Sequence, residues 1–216
     1  MFPAGEVLPR RSVPSILIVF THPALEKSRV HRRLLRSLPE LSGLTLNDLY
    51  ENYPDYDVDV RREQELLLAH DVIVHQHPFY WYSVPPLLKQ WQDLVLEHGW
   101  AYGSRGTALR GKRTLHVIST GGSAAAYQPQ GDNRFTVRAL LAPWEQTARL
   151  CGMEFLPPFV IHGTHGLTDP ELESAADRYR EFLVGLHDGS LRLKPDALYA
   201  EAPDGPDKQS SEDVQP

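Results

Sequence analysis

Between residues 16 and 186, short aliphatic runs alternate with stretches whose apolar residues recur at helical spacing. The runs are Ile16–Phe20 (ILIVF), Leu44–Tyr50 (LTLNDLY), Val72–His75 (VIVH), Thr114–Ser119 (TLHVIS) and Phe155–His162 (FLPPFVIH), and they predict five strands. Helical patterns begin near Ser28 (Val30, Leu34, Leu35, Leu38), Val60 (Leu66, Leu67), Pro86 (Leu87, Leu88, Trp91, Leu94, Val95) and Val137 (Leu140, Leu141, Trp144, Leu150). A fifth follows Asp169, the predicted cap. There Pro170 suits the first turn, where its missing N–H would be unpaired anyway, and Leu172, Ala176, Tyr179 and Leu183 share one face. Pro143 is expected to kink or split the fourth helix. Continuous apolar strands separated by amphipathic helices predict an α/β fold, a doubly wound parallel sheet covered on both faces.

Composition narrows the class. A chain of 216 residues suits one domain, expected at 13–190, since domains run about 100 to 200 residues. An apolar fraction of 41%, with 4 Trp, 9 Tyr and 7 Phe, can fill a sizeable core and excludes a wholly disordered chain. No internal repeat at about 20 to 50 residues is visible, which excludes solenoids and propellers. Residues 1–12 have no usable period, and 201–216 carry three prolines and five acids against Lys208. Both are expected to be disordered tails, the second within a C-terminal extension from 191 to 216. The formal charge of -6 offers no basic field for a phosphate backbone, so no nucleic-acid partner is expected. Apolar runs such as Ile16–Phe20 are far shorter than the ~18 residues of a bilayer crossing, so no membrane span is expected. The single cysteine, Cys151, excludes an internal disulfide, and the N-terminus has no secretory pattern; a reducing cytoplasm is expected. Cys151 ends a helical pattern among apolar residues, where a thiol reads as inert rather than nucleophilic.

In a β-α-β-α succession the binding crevice lies beyond the carboxyl ends of the strands. After the first strand come Thr21, His22 and Pro23, and then Ser28, Arg29, Val30 and His31 open a helix. Unpaired N–H groups at a helix start favour an anion, to which His22, Ser28 and Arg29 can add donors, although Ser28 can equally be an ordinary N-cap. The loop lacks the glycines of dinucleotide and nucleotide-triphosphate loops. After the third strand, Phe79, Tyr80, Trp81 and Tyr82 stand in a proline-flanked loop and read as a platform for a planar ring, or as packing against the core or a neighbouring subunit. His75 and His77 share a strand face without a third ligand nearby, and His162 and His165 are no better placed, so no metal is expected. After the fourth strand, Ser119, Thr120, Gly121 and Gly122 allow close backbone approach to a ligand. Phosphate cradle, ring platform and Gly-rich turn together point to a phosphorylated planar cofactor, and FMN satisfies all three.

These residues resemble the flavodoxin-like NAD(P)H:quinone oxidoreductases, and among them the ancillary subunits of glutathione-gated potassium-efflux systems. The likeness runs from about Ser15 to Leu186, through ILIVFTHP at 16–23, HQHPFYWYSVPPLLKQW at 75–91, HGWAYG at 98–103, STGG at 119–122 and LPPF at 156–159. It implies a five-stranded sheet ordered 2-1-3-4-5, with 13–190 as an FMN-binding domain, and a homodimer with flavin sites at the subunit interface. It also implies that His22 and Ser28 to His31 hold the phosphate and ribityl chain, that Phe79 to Tyr82 contact the isoalloxazine, and that Ser119 to Gly122 close over its pyrimidine side. His31 stands where the family often has Asn, and since imidazole titrates near neutrality, phosphate affinity is expected to depend on pH. Tyr127 matches a family tyrosine beside the flavin, while Asn133 replaces a histidine six residues on. The C-terminal extension that helps larger members hold FAD is absent, which favours FMN. The resemblance implies hydride transfer from NAD(P)H to FMN and on to a quinone or similar electrophile, with Tyr127 donating to the substrate oxygen. It equally implies a regulatory subunit of a membrane potassium-efflux protein, at the inner face of the cell membrane.

Overall fold

The computed structural model describes residues 13–191 and 193. The expected tails at 1–12 and 201–216 lie outside the described residues, as does the 191–216 extension apart from Leu191 and Leu193. The chain forms β1 (Ile16–Phe20), α1 (Arg29–Arg36), β2 (Leu44–Asp48), α2 (Leu49–Asn52), α3 (Val60–Ala69), β3 (Val72–Pro78) and α4 (Pro86–Val95). It continues through β4 (Arg113–Ser119), α5 (Val137–Leu140), α6 (Ala142–Leu150), β5 (Glu154–Phe155), β6 (Phe159–Ile161) and α7 (Asp169–Asp188). The strands are parallel in the expected order β2-β1-β3-β4-β5, and β6 adds a sixth by pairing with β4.

Four local expectations are corrected by backbone chemistry. The second strand stops at Asp48 rather than Tyr50, because the Asp48 carboxylate accepts the N–H groups of Tyr50 and Glu51 and so starts α2. The third runs on from His75 to Pro78. The fifth, expected to be continuous, breaks into β5 and β6 around Pro157 and Pro158, which have no N–H to give a ladder. The cap of α7 is Thr168, not Asp169: its hydroxyl accepts the Glu171 N–H while the Glu171 carboxylate accepts the Thr168 N–H at 2.9 Å, a reciprocal pair that Asp169 cannot form. Pro143 stands in the first turn of α6 and divides it from α5, as the pattern foretold.

Alternation along the strands divides the core in two. Ile16, Ile18, Phe20, Val72, Val74, Leu115 and Val117 pack under α1 and α7. Leu17, Val19 and Ile73 pack on the other face with Leu67, Leu87, Trp91 and Trp144 of α3, α4 and α6. Cys151 is buried at the end of α6, and burial raises its thiol pKa. On that second face Glu63 is wholly buried, and it accepts from Asn47 Nδ2 at 2.7 Å, Tyr53 Oη at 2.6 Å and Trp91 Nε1 at 2.8 Å and pairs with Arg62. These donors satisfy a carboxylate that would be costly to bury alone and tie β2, α3 and α4 together. No helix among the described residues is long and apolar enough to cross a membrane.

Candidate functional site

The carboxyl ends of β1, β3, β4 and β6 open onto a pocket of about 530 Å³, within the usual size of cofactor sites. A second cavity, between β3 and α6 in the core, measures only about 20 Å³, room for a water but not a cofactor.

One wall of the larger pocket is the turn into α1, with Lys27, Ser28, Arg29 and Val30. Ser28 Oγ accepts the His31 N–H at 3.1 Å, so Ser28 is the N-cap while its own proton stays free to donate. The N–H groups of Arg29 and Val30 have no acceptor among the described residues, and with the helix dipole they favour an anion. Lys27 and Arg29 add positive charge, Arg29 being steered by Asp169 at 2.7 Å and the Leu167 carbonyl at 3.1 Å. His22 lines the pocket and its Nδ1 accepts the Ala24 N–H at 3.1 Å. Burial lowers the His22 pKa, with the charge of Glu26 partly opposing the shift.

His31 lies elsewhere than expected. Its ring is wholly buried beneath the pocket floor, between Ser119 Oγ at 2.9 Å and Gln76 Nε2 at 3.4 Å. Burial, and then His22 and His77, hold its pKa well below the ordinary value. Titration of His31 near neutrality is therefore corrected: a charged imidazole there would be stripped of water with no carboxylate to receive it.

Phe79 and Tyr80 line the pocket, and Trp81 and Tyr82 follow them in the same loop with φ of 48° and 61°. The Tyr80 carbonyl accepts the Ser83 N–H at 3.0 Å, closing a two-residue turn whose central residues are both left-handed, as in hairpins. Such angles cost bulky residues about 1 to 3 kcal/mol each, so the surroundings over-determine this turn. Trp81 stands at its tip, 92% exposed.

At the end of β4, Ser119 and Gly121 line the pocket. Thr120 is buried and braces the turn: its hydroxyl donates to the Gly122 carbonyl at 2.8 Å and meets His162 Nδ1 at 3.0 Å. A Cβ on Gly121 would lie 2.8 Å from Nε2 of the exposed His165, and one on Gly122 3.1 Å from Tyr127 Cε2, so a side chain at either position would require its neighbour to shift. Tyr127 is buried against Phe79 and His162, and its hydroxyl has no hydrogen-bond partner among the described residues. Burial first and Tyr82 second raise its pKa, so it remains a donor at neutral pH. Tyr82 Oη donates to Asn133 Oδ1 at 3.2 Å, bringing Tyr82, Tyr127 and Asn133 together beside Gly122.

Five pocket residues were not foreseen as site residues, Ala24, Lys27, Pro78, Thr164 and His165. The last two follow β6, and looking past the fifth strand as past the others would have found them. His75 and His77 are buried in the sheet, His77 bonded to the Pro78 carbonyl and to His116, and no group of three metal-ligating side chains is assembled among the described residues.

Comparison with known proteins identifies the family. A family described by its flavodoxin-like fold matches residues 14–183. An NAD(P)H oxidoreductase, YrkL of Bacillus subtilis, is 44% identical over 171 residues, 79% of this chain and 98% of that protein. The glutathione-regulated potassium-efflux ancillary protein KefF of Klebsiella aerogenes is 44% identical over 169 residues, 78% and 94% of the two chains. Among solved structures, general stress protein 14 of Treponema denticola in complex with FMN superposes with a TM-score of 0.76 at 39% identity, covering 81% of this chain and 100% of that one. An NADPH-quinone reductase from P. pentosaceus gives 0.71 at 33%, covering 78% and 96%. With sheet order and sequence in agreement, this chain belongs to the family of flavodoxin-like fold that these proteins represent.

Proposed function

We propose that the pocket binds FMN and that the protein is an NAD(P)H:quinone oxidoreductase. One observation carries the reading: a single pocket joins a helix start with free N–H groups, Lys27 and Arg29, to an aromatic wall of Phe79 and Tyr80. That donor set fits a phosphate at one end and a flat ring at the other. Similarity to an FMN-bound protein and to a quinone reductase supports it. Bound FMN would supply two-electron hydride chemistry between nicotinamide and a quinone or similar electrophile. The chain's own part is to bind and to place protons. Ser28, Arg29 and Val30 hold the anionic end, His22 and Ser119 contribute further donors, and Gly121 and Gly122 offer N–H groups that donate to no carbonyl of the described residues. Tyr127 holds a proton on its hydroxyl beside the Gly-rich turn, where it can stabilise charge developing on a substrate oxygen. The exposed Trp81 suits a homodimer in which the partner covers the mouth.

A second reading, favoured by similarity to KefF, is an ancillary subunit that regulates a membrane potassium-efflux protein from the inner face of the membrane. Anaerobic stopped-flow mixing decides between them. An enzyme bleaches the flavin with NADH or NADPH and recovers it with a quinone at rates that sustain turnover; absence of turnover with every quinone tried would favour the regulatory subunit.

A further inference from the structure

A line of buried polar side chains runs from α7 to the pocket floor. Tyr179 Oη lies 2.6 Å from Gln76 Oε1, Gln76 Nε2 lies 3.4 Å from His31 Nδ1, and His31 Nε2 lies 2.9 Å from Ser119 Oγ. Tyr179, Gln76 and His31 are inaccessible to water, whereas Ser119 lines the pocket.

We propose that Tyr179, Gln76 and His31 form a one-way hydrogen-bond chain that fixes Ser119 as a donor to an acceptor oxygen of the pocket's ligand. The direction is set at the buried end. A phenol has one proton, and Gln76 is the only hydrogen-bond partner of the Tyr179 hydroxyl among the described residues. Reversing the chain would leave that proton buried without an acceptor, at the full cost of desolvation. The phenol therefore donates to Gln76 Oε1, which turns the amide nitrogen toward His31. His31 Nδ1 must then present its lone pair, so the proton of the neutral ring sits on Nε2 and is donated to Ser119 Oγ. Ser119 has its acceptor side occupied, and its own O–H is left for the pocket. His22 repeats the device: Nδ1 is occupied by the Ala24 N–H, leaving the Nε2 proton on a second residue that lines the same pocket. Two neutral donors are thus set by bonds made away from the ligand, as an oxygen-rich phosphoribityl chain requires. Tyr179, Gln76 and His31 are positioning residues, and their identification with FMN binding rests on the functional reading above.

The test begins without ligand. Long-range proton–nitrogen spectra of wild-type protein carrying ¹⁵N-histidine, with His31 assigned by its loss in His31→Asn, should show Nε2 protonated and Nδ1 bare from pH 8 to 6. A proton on Nδ1, or on both nitrogens at pH 7, overturns the proposal. In Tyr179→Phe, which keeps the ring that packs on Phe159, the His31 tautomer should become mixed. FMN affinity should fall about two- to tenfold, as should that of Ser119→Ala, with no further loss in the double variant. Full wild-type affinity in a folded Tyr179→Phe protein, or additive losses, contradicts the chain. A wild-type protein that binds no FMN refutes the functional reading instead, and the His31 tautomer then decides the chain alone.

Discussion

Tyr127 occupies the space into which a side chain on Gly122 would project, its Cε2 lying 3.1 Å from the Cβ position. The glycine and the proposed proton donor are therefore one packing unit. Gly122→Ala should leave the protein folded but displace Tyr127 by a few tenths of an ångström. Tyr127→Phe, which removes only a hydroxyl, should slow flavin reoxidation by quinone about ten- to a hundredfold, equivalent to roughly 1.4 to 2.7 kcal/mol, and spare FMN binding. Stopped-flow reoxidation checks both; a Tyr127→Phe variant as fast as wild type removes Tyr127 from the chemistry.

The anion end can be tested through the cap. Ser28→Ala removes the acceptor of the His31 N–H and should cost about 1 kcal/mol of stability in urea. Because the same residue lines the pocket, FMN affinity should fall as well. Lost stability with unchanged affinity would make Ser28 a cap and nothing more.

Much of this was legible before folding. Strand runs and helix periods give the sheet order its elements because burial on two faces leaves no choice of period. The rule that chemistry follows the strands located His22, Ser28, Phe79 and Ser119. What sequence could not supply was side-chain direction. Trp81 and Tyr82 take left-handed backbone angles, a property no aromatic residue advertises. His31 faces inward because it falls on the buried face of α1, one residue beyond Val30 and three before Leu34. Asp169 lost the cap to Thr168 through a partner three residues ahead of the threonine.

Buried imidazoles make stability depend on pH. Burial lowers the pKa of His75 to about 3 and of His77 to about 4, and depresses His31 and His116 as well. Between about pH 6.5 and those values the unfolded chain binds protons that the native state refuses. Stability should thus be full above pH 7 and fall as pH drops below 6.5, by about 1.4 kcal/mol per pH unit for each such histidine. Urea midpoints measured from pH 8 to 5 should show the decline, and His77→Gln should make it shallower. A flat profile over that range contradicts the burial of these rings.

Trp81 offers a test of assembly. Asn tolerates the left-handed region, so Trp81→Asn should keep the Tyr80–Ser83 turn while removing an exposed apolar surface. Light scattering should report a dimer for the wild type and weaker association for the variant. An unchanged dimer would place the interface elsewhere.

FMN binding in this pocket is tested by the visible spectrum of the protein after incubation with FMN and removal of free flavin. The protein should be yellow with one flavin per chain, and should lose that flavin when Arg29→Glu places a like charge at the start of α1. A colourless protein after reconstitution, or equal flavin retention by Arg29→Glu, would contradict FMN binding in this pocket.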